Sequence, residues 1–387
     1  MTDQNDIMQQ EQPGGLTTLS SSGAATYGYA QPGPGATGTD DGKNGKNGKK
    51  RKKGNKGGKA LVGVLVFLIV VLIGLCVGGY FFLSTVDENL SGGKTEEEQL
   101  AIKEKLVSTV SYDEPFYMML IGSDKRASDE SMGERADTNI LVRVDAPNKQ
   151  ITLISIPRDT MITIYGYGTC KFNAAYSVGG AAQVIEEAAK LCDVQIAHYA
   201  EIDFAGLEDL VDAVGGVDVD VPFDIDDWEA GPVTISAGEQ HLDGVAALTF
   251  ARSRKYPDGD FTRTMNQRTL VKALISRVFA LSPGELPAVI QAASKYVATD
   301  MSVKDIYGLA KQFQDEGSIT MYSAMVPSST DMIDEVSYVL CDTYGLANMM
   351  AIVNEGGDPG TAEVYGAAHS ALVDEGAVEA HNSAASQ

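Results

Sequence analysis

The apolar and polar positions divide the chain into stretches of different character. Residues 1–59 are Gly, Ser, Gln, Asn and Lys with almost no large apolar side chains. Such a composition buries too little surface to offset the entropy of ordering and predicts a disordered tail. Residues 60–83, ALVGVLVFLIVVLIGLCVGGYFFL, run for 24 positions without a charge. At a helical rise of about 1.5 Å per residue they reach roughly 36 Å, enough to cross a bilayer with some tilt. A cleaved signal peptide would be shorter and would sit near the start of the chain, so the pattern predicts an uncleaved signal anchor.

Beyond the span, residues 95–109 read as a short charged helix. The runs at 116–122, 138–146 and 150–156 are apolar and β-branched, as expected of strands. Residues 181–192 and 204–214 carry apolar positions at helical spacing, the second ending at Gly215-Gly216. VDVDVP (217–222) alternates as a strand closed by Pro222. Residues 244–254, 262–281, 283–297 and 303–313 read as helices, and 319–327 as a late strand. Strands alternating with helices predict an α/β fold, an α-β-α sandwich with a mixed central sheet, preceded by a single transmembrane helix. The expected division is a cytoplasmic tail (1–59), the span (60–83), a juxtamembrane linker (84–111), a catalytic domain (112–353) and a loose Gly/Ala/Ser/Glu tail (354–387).

Charge sets the topology. The nine basic residues of the first 59 all lie between Lys43 and Lys59, immediately before the span, whereas the flank STVDENLSGG carries no Lys or Arg. The positive-inside rule places the N-terminus in the cytoplasm and residues after about 84 outside. The formal net charge is -23, and this acidity argues against nucleic acid as a partner. Cys170, Cys192 and Cys341 fall in the outer part, where disulfides persist. Cys170 and Cys192 flank one predicted helix and fit either a disulfide or two small buried thiols. Four scattered histidines and the lack of any CxxC pair argue against a His-based zinc site or a Ser-His-Asp triad.

Against that acidity, Arg252, Arg254, Lys255, Arg263 and Arg268 crowd into ARSRKYPDGDFTRTMNQR. Guanidinium forks match phosphate oxygens two at a time, so the cluster points to an anion site. Three more segments follow or precede predicted strands, where α/β proteins build their sites. IGSDKR delivers Asp124 and Arg126, ERADTNIL delivers Arg135 and Asp137, and SIPRDT delivers Arg158 and Asp159. Carboxylates such as Asp124 and Asp137 are hard oxygen donors suited to Mg²⁺ bridging phosphate oxygens. The arginines suit the charge that builds during phosphoryl transfer. Singly, each of these residues reads equally well as a cap or a surface ion pair.

In order and spacing, IGSD, R-x-D-T, IPRD, KFNAAYSVGG (171–180), DFAGLEDLVDAVGGVDVDVP (203–222), LDGVAALTFARSR (242–254) and GDFTR with Gln267 resemble the LytR-CpsA-Psr family of membrane-anchored cell-wall proteins. The resemblance runs from roughly residue 115 to 280. It implies a phosphotransferase that moves a glycopolymer, such as teichoic acid or capsule, from a polyprenyl (pyro)phosphate carrier to a muramic acid hydroxyl of peptidoglycan. Carried over by motif position, Asp124 and Asp137 would hold Mg²⁺ (or Mn²⁺), and one of them would act as base. Arg126, Arg158, Arg252, Arg254 and Arg263 would grip the pyrophosphate. Asp260 would orient the arginines, and Gln267 would line the head-group site. The polyprenyl chain would lie in an apolar tunnel walled in part by 181–192 and 204–214. A lipid-diphosphate pyrophosphatase and a non-catalytic lipid-binding envelope regulator are the competing readings.

Overall fold

The computed structural model describes residues 84–108, 111–123, 135–256, 260–314 and 318–364, and the backbone of 378–380. Asp124, Arg126, the 60–83 span and both tails, apart from residues 354–364 and the backbone of 378–380, lie outside the described residues. Among the described residues no helix is long and apolar enough to cross a membrane.

A seven-stranded mixed sheet forms the centre, in the order β13-β10-β3-β2-β1-β6-β9. Its strands are β1 (Phe116–Ser123), β2 (Ala136–Asp145), β3 (Gln150–Ser155), β6 (Ile196–Asp203), β9 (Val297–Thr299), β10 (Ile319–Met325) and β13 (Val378–Ala380). Strand β1 pairs antiparallel with β2 and parallel with β6, and β3 pairs antiparallel with β2 and parallel with β10. The C-terminal ends of β1, β3, β6 and β10 and the start of β2 therefore share one edge.

Alternation along the strands separates two cores. On one face Met119, Ile121, Leu141 and Ile154 meet helix α2 (Ala174–Cys192) and helix α8 (Thr343–Asn354). On the other face Ile140, Val142, Val144 and Leu153 meet α5 (Asp260–Ala280) and α7 (Val303–Gln314). A third cluster joins α3 (Phe204–Ala213), α4 (Gly244–Arg252), α5 and the ribbon of β7 (Val217–Val221) with β8 (Gly238–Leu242) around Val211, Val219, Phe250 and Leu270. The α/β sandwich and the mixed sheet are as expected.

Several elements differ from the sequence reading. Helix α2 starts before residue 181, but Gly179-Gly180 interrupts it. Gly180 holds φ +61° and ψ -154°, a conformation open essentially to glycine alone. Strand β6 has no clean alternation because Glu201 is buried in it. Its charge is met by Lys94 Nζ at 2.8 Å and by the Tyr176 hydroxyl at 2.5 Å. The expected helix at 283–297 is shorter, α6 (Leu286–Ala293), and its end becomes edge strand β9. Two hairpins also form, β4 (Met161–Ile164) with β5 (Gly168–Lys171) and β11 (Ser328–Ile333) with β12 (Val336–Cys341). Cys170, Cys192 and Cys341 are free thiols. Residues 84–108, expected to be a linker, are fastened to the core. Val86 and Leu90 pack on Ile290 and Val303, Asp87 accepts the Val303 amide at 2.8 Å, and Val107 donates to the Ile196 carbonyl. Helix α1 (Glu96–Lys105) within this stretch is closed by a Thr95/Glu98 capping box.

Candidate active site

The shared sheet edge brings the sequence motifs together. Asp137 stands at the start of β2, Arg158 just past β3, and Asp203-Phe204 where β6 passes into α3. The third cluster supplies the rest. Arg252 ends α4, Arg254 follows it, and Asp260, Arg263 and Gln267 lie at helical spacing along α5.

One carboxylate organises three arginines. Asp260 Oδ1 lies 3.1 Å from Arg254 Nη2, 2.9 Å from Arg263 Nη2 and 3.6 Å from Arg158 Nε. Arg158 Nη1 donates to both oxygens of Asp137, at 3.1 and 3.2 Å, and its Nε is 3.8 Å from Asp159. Lys171 pairs with Asp159 at 3.0 Å. Arg252 does not join Asp260, contrary to the role expected of that carboxylate. It donates to the Ala230 carbonyl at 3.0 Å and stacks over Phe204 with 4.9 Å to the ring centroid. Arg268 of the basic stretch is fully buried in α5 and does not line the pocket.

The electrostatics leave capacity for an anion. Among the described residues, the buried Nε of Arg158 and the buried Nε and Nη2 of Arg263 have no hydrogen-bond partner, although Nη2 lies 2.9 Å from Asp260. Burial disfavours the charged form of Arg263 and holds its pKa below the ordinary guanidinium range despite Asp260. Burial likewise raises the Asp260 carboxyl, against the opposing pull of Arg263 and Arg158. For Arg158 burial works to lower the pKa, but Asp137, Asp260 and Asp159 outweigh it and the net shift is upward. Donors of this kind can be satisfied by the oxygens of an anion.

Sequence reasoning missed Asp227. This carboxylate is 4% exposed and accepts from Ser253 Oγ and the Arg254 amide, both at 3.1 Å. It fixes the backbone from which Arg254 projects. The acidic run in PFDIDDWE was its only signal in the sequence.

Two cavities meet here. A polar one of about 170 Å³ is lined by Asp137, Asp227, Arg252, Arg254, Arg263 and Gln267. An apolar one of about 230 Å³ runs between the sheet and the helices, past Leu120, Ile140, Leu207, Leu210, Leu248 and Leu270. Phe204, Ala251, Arg252 and Gln267 line both. Residues 204–214 thus contribute a wall, as expected. Residues 181–192 do not, because α2 covers the opposite face of the sheet.

Asp137, with a side chain 17% exposed, is an oxygen donor of the class Mg²⁺ takes. Among the described residues no group of three His, Cys, Asp or Glu could hold a metal ion.

Asp260→Asn tests the organising role. We expect the affinity of the pocket for inorganic diphosphate to fall about 10–100-fold, as for loss of a positioning partner. Stability should not fall at neutral pH, because the fold raises the Asp260 pKa and so disfavours its ionised form. The contribution of that shift is present below the unfolded carboxyl value of about 3.9 and is lost as pH rises through the raised folded value. The variant's advantage in melting temperature should therefore shrink on acidification toward pH 4. An advantage that grows instead would reverse the assigned sign.

Known proteins place this geometry. The chain is 34% identical over 266 residues to the polyisoprenyl-teichoic acid–peptidoglycan teichoic acid transferase TagV of Bacillus subtilis, covering 64% of this chain and 65% of that relative. It is 34% identical over 253 residues to the corresponding transferase TagU of Bacillus cereus, covering 62% of this chain and 80% of TagU. The crystal structure of B. subtilis TagV matches with a TM-score of 0.56 at 31% identity, over 63% of this chain and 97% of that one. The sequence model of the LytR-CpsA-Psr family matches residues 80–355, well over half of the chain, and the protein belongs to that family.

Proposed function

We propose that this protein is a glycopolymer–peptidoglycan phosphotransferase acting on a polyprenyl-diphosphate-linked polymer. The observation that carries the reading is the pair of confluent cavities, one apolar and one lined by arginines, which together fit a lipid tail and an anionic head. The names of the relatives supply the donor and acceptor classes, polyisoprenyl-linked teichoic acid and peptidoglycan.

In the reaction the acceptor hydroxyl oxygen attacks the phosphorus that carries the polymer. The bridging P–O bond of the diphosphate breaks and polyprenyl phosphate leaves. Asp137 or Asp124 takes the hydroxyl proton. Arg158 and Arg263 turn their unmet N–H groups to the phosphate oxygens, and Arg252 holds the junction of head and tail. Mg²⁺ held by Asp137 and Asp124 would supply further neutralisation of the diphosphate. A signal anchor at 60–83, with the catalytic part outside, would place the site beside the lipid-borne donor.

Product analysis tests the reading. The full-length chain in detergent, given lipid-linked teichoic acid precursor, Mg²⁺ and peptidoglycan, should yield polymer bound to peptidoglycan through a phosphodiester. Free polymer phosphate with no conjugate would replace transfer by hydrolysis.

A further inference from the structure

Beside the arginine pocket, the chain exposes its sole tryptophan. Trp228 is 77% exposed, a large apolar surface to leave in water without a use. Looseness does not account for it. Asp227, one residue before, turns inward to hold Ser253 and the Arg254 amide. The Asp227 carbonyl accepts from the Ala230 and Gly231 amides at 2.9 and 3.1 Å, and its side chain accepts from the Glu229 amide at 3.3 Å. Three residues earlier, Ile225 is buried and bridged to Ile235. With both flanks pinned inward, the indole is held outward on the tip of a closed turn. Its chain neighbours on either side, Asp227 and Glu229, line the polar cavity. Phe223, five residues earlier and 54% exposed, pairs with Tyr256 at 6.1 Å between ring centroids.

We propose that Trp228, with Phe223, forms a stacking platform for the glycan strand of the acceptor, a subsite that positions the sugar hydroxyl over the arginine pocket. The proposal rests on the phosphotransferase reading and adds a binding site to it. The chemistry favours a glycan. The apolar C–H face of a pyranose lies flat on an indole, and its hydroxyl and acetamido groups donate to carboxylates. Exposed carboxylates of that kind, Asp226 and Glu229, stand two residues before and one after Trp228 in the chain. The same carboxylates repel an anionic lipid surface, the other occupant that an exposed tryptophan beside a lipid site would suggest.

Because the chain has one tryptophan, its fluorescence reports this position alone. Acrylamide should quench the emission of the full-length chain strongly. Oligosaccharides of alternating N-acetylglucosamine and N-acetylmuramic acid should protect it saturably, without donor present. In vesicles with brominated acyl chains the emission should stay unquenched. In the transfer reaction Trp228→Ala should raise the KM for acceptor about tenfold with kcat little changed, and Trp228→Phe should recover most of the loss. Polyprenyl diphosphate binding should be the same in all three proteins. Failure of the glycan to protect the ring, quenching by the brominated lipid, or an unchanged acceptor KM in Trp228→Ala would each overturn the platform. Because protection is read without donor, a chain that hydrolyses its donor instead of transferring it would still report on the platform separately.

Discussion

Replacing Arg158 by alanine should lower transfer about 10³-fold or more, the scale of removing an arginine from a phosphoryl-transfer site. Arg158 touches both halves of the site, Asp137 on the sheet edge and Asp260 on α5. Without it the diphosphate loses an unmet buried donor, and Asp137, Asp159 and Asp260 are left facing one another. Lysine should not rescue, because a single ammonium cannot hold Asp137 through one nitrogen and face Asp260 with another. The side chain is 20% exposed, so water screens part of the loss in stability, and the variant should still melt cooperatively. A rate near wild type in Arg158→Ala, measured by polymer conjugated to peptidoglycan, would remove Arg158 from the mechanism.

Leu210→Trp should have the second largest effect. Leu210 lines the apolar cavity from α3 and is not part of the tight core. An indole there fills space that the lipid tail would use while leaving the arginines in place. Excluding about four of the five apolar carbons of one isoprene unit, at about 0.8 kcal/mol per CH₂, removes roughly 3 kcal/mol of binding, or about 100-fold. The loss should appear with long polyprenyl donors and largely vanish with a donor truncated to a short prenyl chain. Equal loss for both donors would mean that the cavity does not hold the tail.

Much of this was legible in the chain. Strands β1, β2, β3 and β10 announced themselves by apolar, β-branched runs, and the arginine cluster by charge against an acidic background. The strand-end segments converge because parallel and antiparallel pairings place their ends on one edge. The elements that escaped did so for local reasons. Strand β6 hides because Glu201 interrupts its apolar run, and the partners that allow its burial, an ion pair with Lys94 and a hydrogen bond from Tyr176, are distant in sequence. The β11–β12 hairpin lacks an Asn-Gly signal, since Asp334 and Glu335 adopt the positive φ its turn requires. Asp227 looked like one acid among several, and only the fold shows that it alone of its run turns inward. The two helices expected to wall the cavity are equally amphipathic by pattern, and periodicity does not reveal which face of a sheet a helix covers.

Phe204, Ala251, Arg252 and Gln267 belong to both cavities at once, and this shared wall has a thermodynamic consequence. On the proposed reading, tail and head would not be independent ligands of independent sites. A change at the wall, such as Arg252→Ala, perturbs both, so its cost and that of Leu210→Trp should fail to add. The protein would then behave as a coincidence detector. A soluble diphosphate satisfies half of the wall and an uncharged lipid the other half, and only a molecule carrying both draws on the coupling between them.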